Sequence, residues 1–202
     1  MLKSAVVLGM LAWINVMTSC SQDVDVAGDG LRQVGRPCIP ADELLPEFSG
    51  FASGETNIGQ LSGSDRTVCL ANGFQGRVSC PYGQTAAEMA TLPSDSPRRC
   101  RVPDGAGNIT AVPVEVPVEP QLMDRRAEIA AHYSCRCDGP SGGDYCSCPI
   151  TMACVPLIEG GGEFGGSYCV KRGYDPQAPL GATCDADSAD RATNCGNDRA
   201  NP

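Results

Sequence analysis

The most hydrophobic segment of the chain lies at its N-terminus and is followed by a polar tract. Lys3 precedes a mostly apolar run from Ala5 to Val16. A membrane-spanning helix needs about 20 apolar residues, so this run is too short to cross a bilayer, and it fits the hydrophobic region of a secretory signal peptide. The pattern therefore predicts a signal peptide over residues 1–19, with a buried N-terminal helix as the alternative.

The stretch from Thr67 to Cys80 has the pattern of a β-hairpin. Short runs with β-branched residues flank Asn72-Gly73, a dipeptide favoured in tight hairpin turns. The preceding residues, 53–67, are rich in glycine, serine, threonine and asparagine and show little hydrophobic periodicity. They are predicted to form a loop.

The segment 112–120, VPVEVPVEP, alternates valine with proline or glutamate. This period of two places the valines on one face of an extended chain. Pro113 and Pro117 have no backbone N–H, so one side of the segment cannot pair fully with a neighbour. The segment is predicted to be an edge strand or a polyproline-like extension.

Two short segments have helical patterns. Thr85-Ala-Ala-Glu88 matches a capping box and predicts a helix over residues 86–92, which Pro93 ends. A second short helix is predicted from Leu122 to His132. Together these patterns predict a small disulfide-rich fold, mainly β and irregular loops, with one or two short helices.

Composition divides the chain into four parts. Residues 1–19 are the predicted signal peptide, and residues 20–34 are a polar, glycine-containing tether. Residues 35–173 are the predicted disulfide-rich domain. Residues 174–202 are a polar C-terminal tail, in which Cys184 and Cys195 are predicted to close a small disulfide loop that moves independently of the body.

The end of the predicted signal peptide carries a second signal. Met17-Thr18-Ser19-Cys20 resembles a bacterial lipobox. The resemblance implies that Cys20 becomes the first residue of the mature chain and carries fatty acids such as palmitate. Ser21, rather than an aspartate, follows Cys20 and favours the outer membrane, with its periplasmic and surface faces both open. Ordinary secretion with cleavage near Ser19 is the alternative.

The cysteine count agrees with a lipid on Cys20. The chain has thirteen cysteines, and an odd cysteine in an exported protein needs a partner or a modification. If Cys20 is acylated, an even set remains for disulfides in an oxidising compartment. That set is Cys38, Cys69, Cys80, Cys100, Cys135, Cys137, Cys146, Cys148, Cys154, Cys169, Cys184 and Cys195.

The sequence predicts no cofactor and no metal held by these cysteines. Structural zinc sites use Cys-x2–4-Cys pairs, whereas the densest region, residues 133–154, has two Cys-x-Cys pairs and the chain has no Cys-x-x-Cys. Asp185, Asp187 and Asp190 match an EF-hand loop only in part, so a calcium site there is an alternative to a solvated acidic loop.

The sequence leans away from an enzyme without deciding the question. His132 is the only histidine, and it is predicted to face solvent or to cap the second helix. Ser141 lies in a GPSGG stretch that fits a nucleophile elbow only formally, because no strand–turn–helix pattern surrounds it. The alternative function is an extracytoplasmic hydrolase that uses His132 with Ser141, or paired carboxylates.

Charge limits the partners. The net charge is −9, and removal of residues 1–19 with Lys3 makes it −10. An acidic protein has no electrostatic reason to bind nucleic acid. The expected partners are the membrane, through the lipid on Cys20, and an envelope or extracellular protein. The leading interpretation is an exported, lipid-anchored envelope protein with a binding or structural role and an unknown ligand.

Three segments resemble a known group of proteins. GRVSCPYGQ (76–84), YSCRCDGP (133–140) and GSYCVKRG (166–173) are similar to segments of cysteine-rich exported lipoproteins of gliding, predatory soil bacteria. The resemblance covers roughly residues 35–173. It implies export and lipidation but no activity, because that group is uncharacterised.

Overall fold

The computed structural model describes residues 33–60, 67–103, 108–160 and 162–184. Within these ranges the protein is mainly β, with two short α-helices and irregular loops, so the predicted fold class is confirmed. The strands are β1 (Thr56–Gln60), β2 (Thr67–Asn72), β3 (Arg101–Pro103), β4 (Ile109–Ala111), β5 (Ala131–Asp138), β6 (Met152–Ile158) and β7 (Gly166–Lys171). The helices are a 3-10 helix (Ala41–Leu44), α1 (Ala86–Ala90) and α2 (Ala127–Ala130).

The main sheet is antiparallel and has the strand order β1-β2-β5-β7-β6. Only β1–β2 and β6–β7 are neighbours along the chain as well as in the sheet. The central pairs join strands that are far apart in sequence, such as Thr67 opposite Cys135. A separate two-stranded sheet is formed by β3 and β4. The central strands β5 and β7 carry several of the cysteines that define the candidate site.

The hairpin predicted over residues 67–80 is wrong. The β2 strand ends at Asn72, but its two neighbours are β1 and β5, so both of its edges are already occupied. Gly73 has φ +62°, and the chain then enters the core with Phe74 and Arg77, each fully buried. The loop predicted over residues 53–67 is also wrong in part, because it contains β1.

The valine-rich segment is extended but mostly unpaired, as its prolines predict. Val114 is buried and forms an isolated bridge with Gln84. The valines at 112, 116 and 118 are partly buried and pack against the same apolar cluster as Val114. The prediction that the valines share one face is therefore confirmed, whereas regular strand pairing ends with β4, just before this segment.

The capping box at the start of α1 is present as predicted. Thr85 Oγ1 accepts a hydrogen bond from the Glu88 N–H at 3.2 Å, and the Glu88 carboxylate accepts one from the Thr85 N–H at 2.7 Å. The second predicted helix is shorter than expected, because only α2 is helical. From Ala131 onward the chain pairs with β2, and this pairing overrides the local helical pattern.

We expect Thr85→Ala to lower the free energy of unfolding by about 1 kcal/mol, the usual cost of losing a helix N-cap. The reason is that the Glu88 N–H loses its acceptor and the reciprocal bond loses its geometry. Urea unfolding would measure the change. Exposed Thr151→Ala is the matched control and should change stability by less than about 0.5 kcal/mol. Equal effects of the two substitutions would contradict the role of the cap.

An ion pair is buried beside the 3-10 helix. Glu43 and Arg77 are both fully buried, and the Glu43 Oε2 atom lies 3.9 Å from Arg77 Nε. The Glu43 carboxyl also accepts hydrogen bonds from the backbone N–H groups of Val78 and Ser79 at 2.6 and 2.7 Å. Burial raises the pKa of Glu43 to about 7, against the opposing effects of Ser79, Val78 and Arg77. The pair connects two segments that do not share a strand.

The segment 174–184 packs against the body of the protein. Arg125 is buried, and its guanidinium donates hydrogen bonds to the carbonyl oxygens of Pro176 and Ala178. Cys184 is also buried. The polar composition of this segment predicted an independent tail, and the observed contacts differ from that expectation. They are made to main-chain carbonyl oxygens, which the composition of a segment does not reveal. Residues 185–202, with the acidic residues proposed as calcium ligands, lie outside the described residues.

Candidate functional site

Disulfide bonds are the chemical feature that dominates the described residues. Ten cysteines form five bridges among themselves. Cys184 is also disulfide-bonded, and since the other described cysteines pair with each other, its partner lies outside the described residues. The predictions for Cys20 and Cys195 therefore remain predictions. The bridges are Cys38–Cys69, Cys80–Cys100, Cys135–Cys146, Cys137–Cys154 and Cys148–Cys169.

Three of these bridges lie close together and form one sulfur cluster. We call them the inner bridge (Cys135–Cys146), the central bridge (Cys148–Cys169) and the outer bridge (Cys137–Cys154). At one end of the central bridge, Cys169 Sγ lies 3.8 Å from Cys135 Sγ and 3.7 Å from Cys146 Sγ. At its other end, Cys148 Sγ lies within 4.8 Å of both sulfurs of the outer bridge. The central bridge thus contacts the inner bridge and lies close to the outer one.

The sheet explains why the cluster forms. Residues two apart on a strand point to the same face, so the Cys-x-Cys spacing can bring the two cysteines of β5 to one side. Cys154 on β6 and Cys169 on β7 lie directly opposite each other, yet they belong to different bridges. Their partners are Cys137 on β5 and Cys148 in the loop before β6. The bridges therefore tie this loop and three neighbouring strands together.

The outer bridge is the least buried of the three bridges in the cluster. Cys154 of the outer bridge is exposed and Cys137 is partly buried, so neither end of that bridge is in the core. The central and inner bridges each have one buried cysteine. These are Cys169 in the central bridge and Cys135, which is 1% exposed, in the inner bridge. Solvent therefore reaches the outer bridge more readily than the inner one.

The sulfur geometry also bears on metal binding. Two groups of three sulfurs, one at each end of the central bridge, each lie within 4.8 Å of one another, which is compact enough to surround an ion. Metal ions bind the thiolate form of cysteine. Every sulfur of these groups is instead bonded to another sulfur, so the oxidised cluster offers no thiolate ligand.

His132 lies in a different environment from the one predicted. It is on β5 rather than at a helix end, and it is fully buried. Its Nδ1 lies 3.0 Å from the Ile129 carbonyl oxygen, and its Nε2 lies 3.2 Å from the Cys169 carbonyl oxygen. Burial lowers the pKa of His132, although both carbonyls oppose this effect. The expectation of a solvent-facing or capping histidine is therefore wrong.

Ser141 and His132 are not hydrogen-bonded to each other. Ser141 is exposed in a turn between Pro140 and Gly143, whereas both ring nitrogens of His132 face backbone carbonyls. A general base needs to lie within hydrogen-bond reach of its nucleophile. The described geometry gives no support to a Ser141–His132 pair.

We expect the imidazole of His132 to titrate below pH 6.5, its ordinary value. Because the folded-state pKa is lowered, the stability that follows from keeping the ring neutral is complete above pH 6.5 and is lost as the pH falls through the folded-state pKa. NMR can follow the ring protons without ambiguity, since the chain has one histidine. A midpoint at or above 6.5 in the folded protein would contradict this prediction.

Comparisons with known proteins identify no relative. No protein-family model matches the chain, no curated protein matches it, and no solved structure matches it. Within the described ranges, none of the helices has the length and apolar character that a membrane crossing requires. The functional proposal therefore rests on the disulfides, the sequence signals and the geometry of the sulfur cluster.

Proposed function

We propose that this protein is an exported, lipid-anchored envelope protein with a binding or structural role. The observation that carries the proposal is the set of five disulfides within the described residues, together with a bonded Cys184. Disulfides form and persist in oxidising compartments and are rare in the cytosol. The bridges are consistent with an extracytoplasmic protein.

The core supports a cross-linked structural or binding domain. The buried apolar residues fall into several small clusters rather than one large core. Small exported domains with limited cores commonly depend on disulfides for their stability. In this protein two of the apolar clusters include bridged cysteines, so the bridges complete the packing as well as the covalent framework.

The lipid anchor is the second part of the proposal. The lipobox-like Met17–Cys20 follows an apolar segment of signal-peptide length, and acylation of Cys20 leaves an even number of cysteines for pairing. Several acyl chains hold a protein stably on a membrane, whereas one holds it only marginally. The anchored protein would lie at the outer membrane, where the acidic domain is available to an envelope or extracellular partner.

The hydrolase alternative has less support from the described residues. His132 is buried with both ring nitrogens against carbonyls, and Ser141 lies in an exposed turn. Glu43 is the one described carboxyl with a raised pKa, and it is fully buried and accepts hydrogen bonds from backbone N–H groups rather than facing a second carboxyl. Neither arrangement places a nucleophile beside a base.

We expect Cys20→Ser to move the protein from the membrane fraction to the soluble fraction and to abolish fatty-acid labelling. The reason is that the serine variant has no sulfur at which the lipid can be attached. Cell fractionation and metabolic labelling with a radioactive fatty acid would measure both effects. Cys184→Ser is the matched control, since it also removes a cysteine but should leave the anchor in place. Continued membrane association or labelling of Cys20→Ser would refute the anchor.

A further inference from the structure

The short distances between the sulfurs of the three clustered bridges allow chemistry that isolated disulfides cannot perform. Thiol–disulfide exchange occurs when a thiolate attacks a sulfur of a disulfide, so it requires sulfurs that can come into contact. In the cluster, Cys169 Sγ already lies 3.7 and 3.8 Å from the two sulfurs of the inner bridge. Cys148 Sγ lies within 4.8 Å of the sulfurs of the outer bridge.

We propose that the sulfur cluster is a dithiol–disulfide exchange site, in which an electron pair from an external dithiol enters at the outer bridge and passes through the central bridge to the inner bridge. The entry point follows from burial, because the outer bridge is the one described bridge with no buried cysteine. The order of the bridges follows from the two sets of sulfur distances, because the central bridge lies between the other two. The proposal does not depend on lipidation of the chain.

The first step reduces the outer bridge. A thiolate of the dithiol attacks Cys154 Sγ, which breaks the Cys137–Cys154 bond and releases the Cys137 thiolate. The second thiol of the reductant then attacks the first reductant sulfur. This releases Cys154 and closes a disulfide within the reductant. The reductant has lost two electrons and two protons, and the outer bridge has become two thiols.

The second step moves the electron pair to the central bridge. The Cys137 thiolate attacks Cys148 Sγ, which breaks the Cys148–Cys169 bond and releases the Cys169 thiolate. Cys154 then attacks Cys137, which restores the outer bridge and releases Cys148. The outer bridge is oxidised again, and the central bridge now holds the two thiols.

The third step repeats the exchange at the inner bridge. The Cys169 thiolate attacks Cys135 or Cys146, with which it is already in contact. Cys148 then attacks Cys169, which restores the central bridge and releases the inner-bridge cysteine, so the inner bridge now holds the two thiols. Each step consumes one disulfide and forms one, so electrons and protons balance without a further reactant.

The other bridges are excluded from this exchange by their position. Cys38, Cys69, Cys80 and Cys100 are all buried at 4% exposure or less, and they are bridged to each other rather than to cysteines of the cluster. They therefore provide internal controls within the same molecule.

A pH jump separates reduction from exchange. The purified protein is treated at pH 3 with a limiting amount of a water-soluble phosphine, which reduces disulfides but is not itself a thiol. At this pH thiols are protonated and exchange is suppressed, because only the thiolate attacks. The sample is then raised to pH 8 for timed intervals, quenched with acid, alkylated and mapped by mass spectrometry.

We expect the first thiols to be Cys137 and Cys154. After the jump the label should shift from these residues to the central and inner bridges, with mixed pairs such as Cys137–Cys148 as intermediates. The buried control cysteines should stay unlabelled. Label that stays on Cys137 and Cys154, or that spreads equally to the control cysteines, would overturn the proposal. First reduction at another bridge would overturn the entry point.

Two variants test the order of the relay. Cys148→Ala with Cys169→Ala removes the central bridge and should abolish the shift of label to the inner bridge. Cys38→Ala with Cys69→Ala removes a bridge outside the cluster and should leave the shift unchanged. Transfer to the inner bridge without the central bridge would refute the relay. If the first variant does not fold, the pH jump on the unmodified protein still decides the proposal.

Discussion

Glu43→Ala is expected to lower the free energy of unfolding by about 3–5 kcal/mol, the range found when one partner of a buried ion pair is removed. The substitution leaves Arg77 buried without its carboxylate, and it removes the acceptor of the Val78 and Ser79 backbone N–H groups. A buried donor without an acceptor costs about 1–3 kcal/mol. Equilibrium unfolding in urea would measure the loss.

The chain supplies a matched control for this substitution. Glu47 belongs to the same segment but is exposed, so Glu47→Ala should change stability by less than about 0.5 kcal/mol. The double variant Glu43→Ala with Arg77→Ala should lose less than the sum of the single losses, because the two residues share their interaction. Additive losses, or a Glu43→Ala effect no larger than that of Glu47→Ala, would contradict the role of the pair.

This pair shows why charge alone is a poor guide to burial. ADELLPEF presents Glu43 and Glu47 as equivalent carboxylates near a few apolar residues. Only the folded structure places Arg77, thirty-four positions further along, beside one of them. The arginine also donates to the Leu45 and Phe48 carbonyls. No local pattern encodes this contact, since it depends on how two distant segments pack.

Predictions that depended on neighbouring residues succeeded. The capping box at Thr85 needs only four consecutive residues, and it was found with both of its hydrogen bonds. The shared face of the valines at 112–118 follows from their spacing alone. The disulfide-rich, mainly β fold class follows from cysteine content and short extended patterns.

Predictions that depended on distant strands failed. The Asn72-Gly73 turn would fit a hairpin, but β2 pairs with β5, which lies about sixty residues further along the chain. Because of the same pairing, Ala131 and His132 belong to a buried strand rather than to the predicted helix. Bridge connectivity is equally non-local, and cysteine spacing does not determine it. The sulfur cluster therefore could not be located from the sequence, although its cysteines could.

Removal of residues 176–202 is expected to lower the free energy of unfolding substantially, although the polar composition of this segment suggests a small effect. The deletion removes four hydrogen bonds to the body: Arg125 to Pro176 O and to Ala178 O, Met123 N–H to Ala182 O, and Cys184 N–H to Gln121 O. At about 1 kcal/mol for each bond, the expected loss is about 4 kcal/mol. Urea unfolding of the truncated protein would measure it.

A shorter deletion separates these contacts from the rest of the C-terminus. Removal of residues 185–202 together with Cys184→Ser keeps the segment 176–183 and its acceptors for Arg125, so most of the stability should be retained. Arg125→Met in the full chain should in turn reproduce part of the loss, because it removes the donor while keeping a side chain of similar length. If the longer deletion leaves the unfolding transition unchanged, the segment is an independent tail despite its contacts, and Arg125 does not hold it to the body.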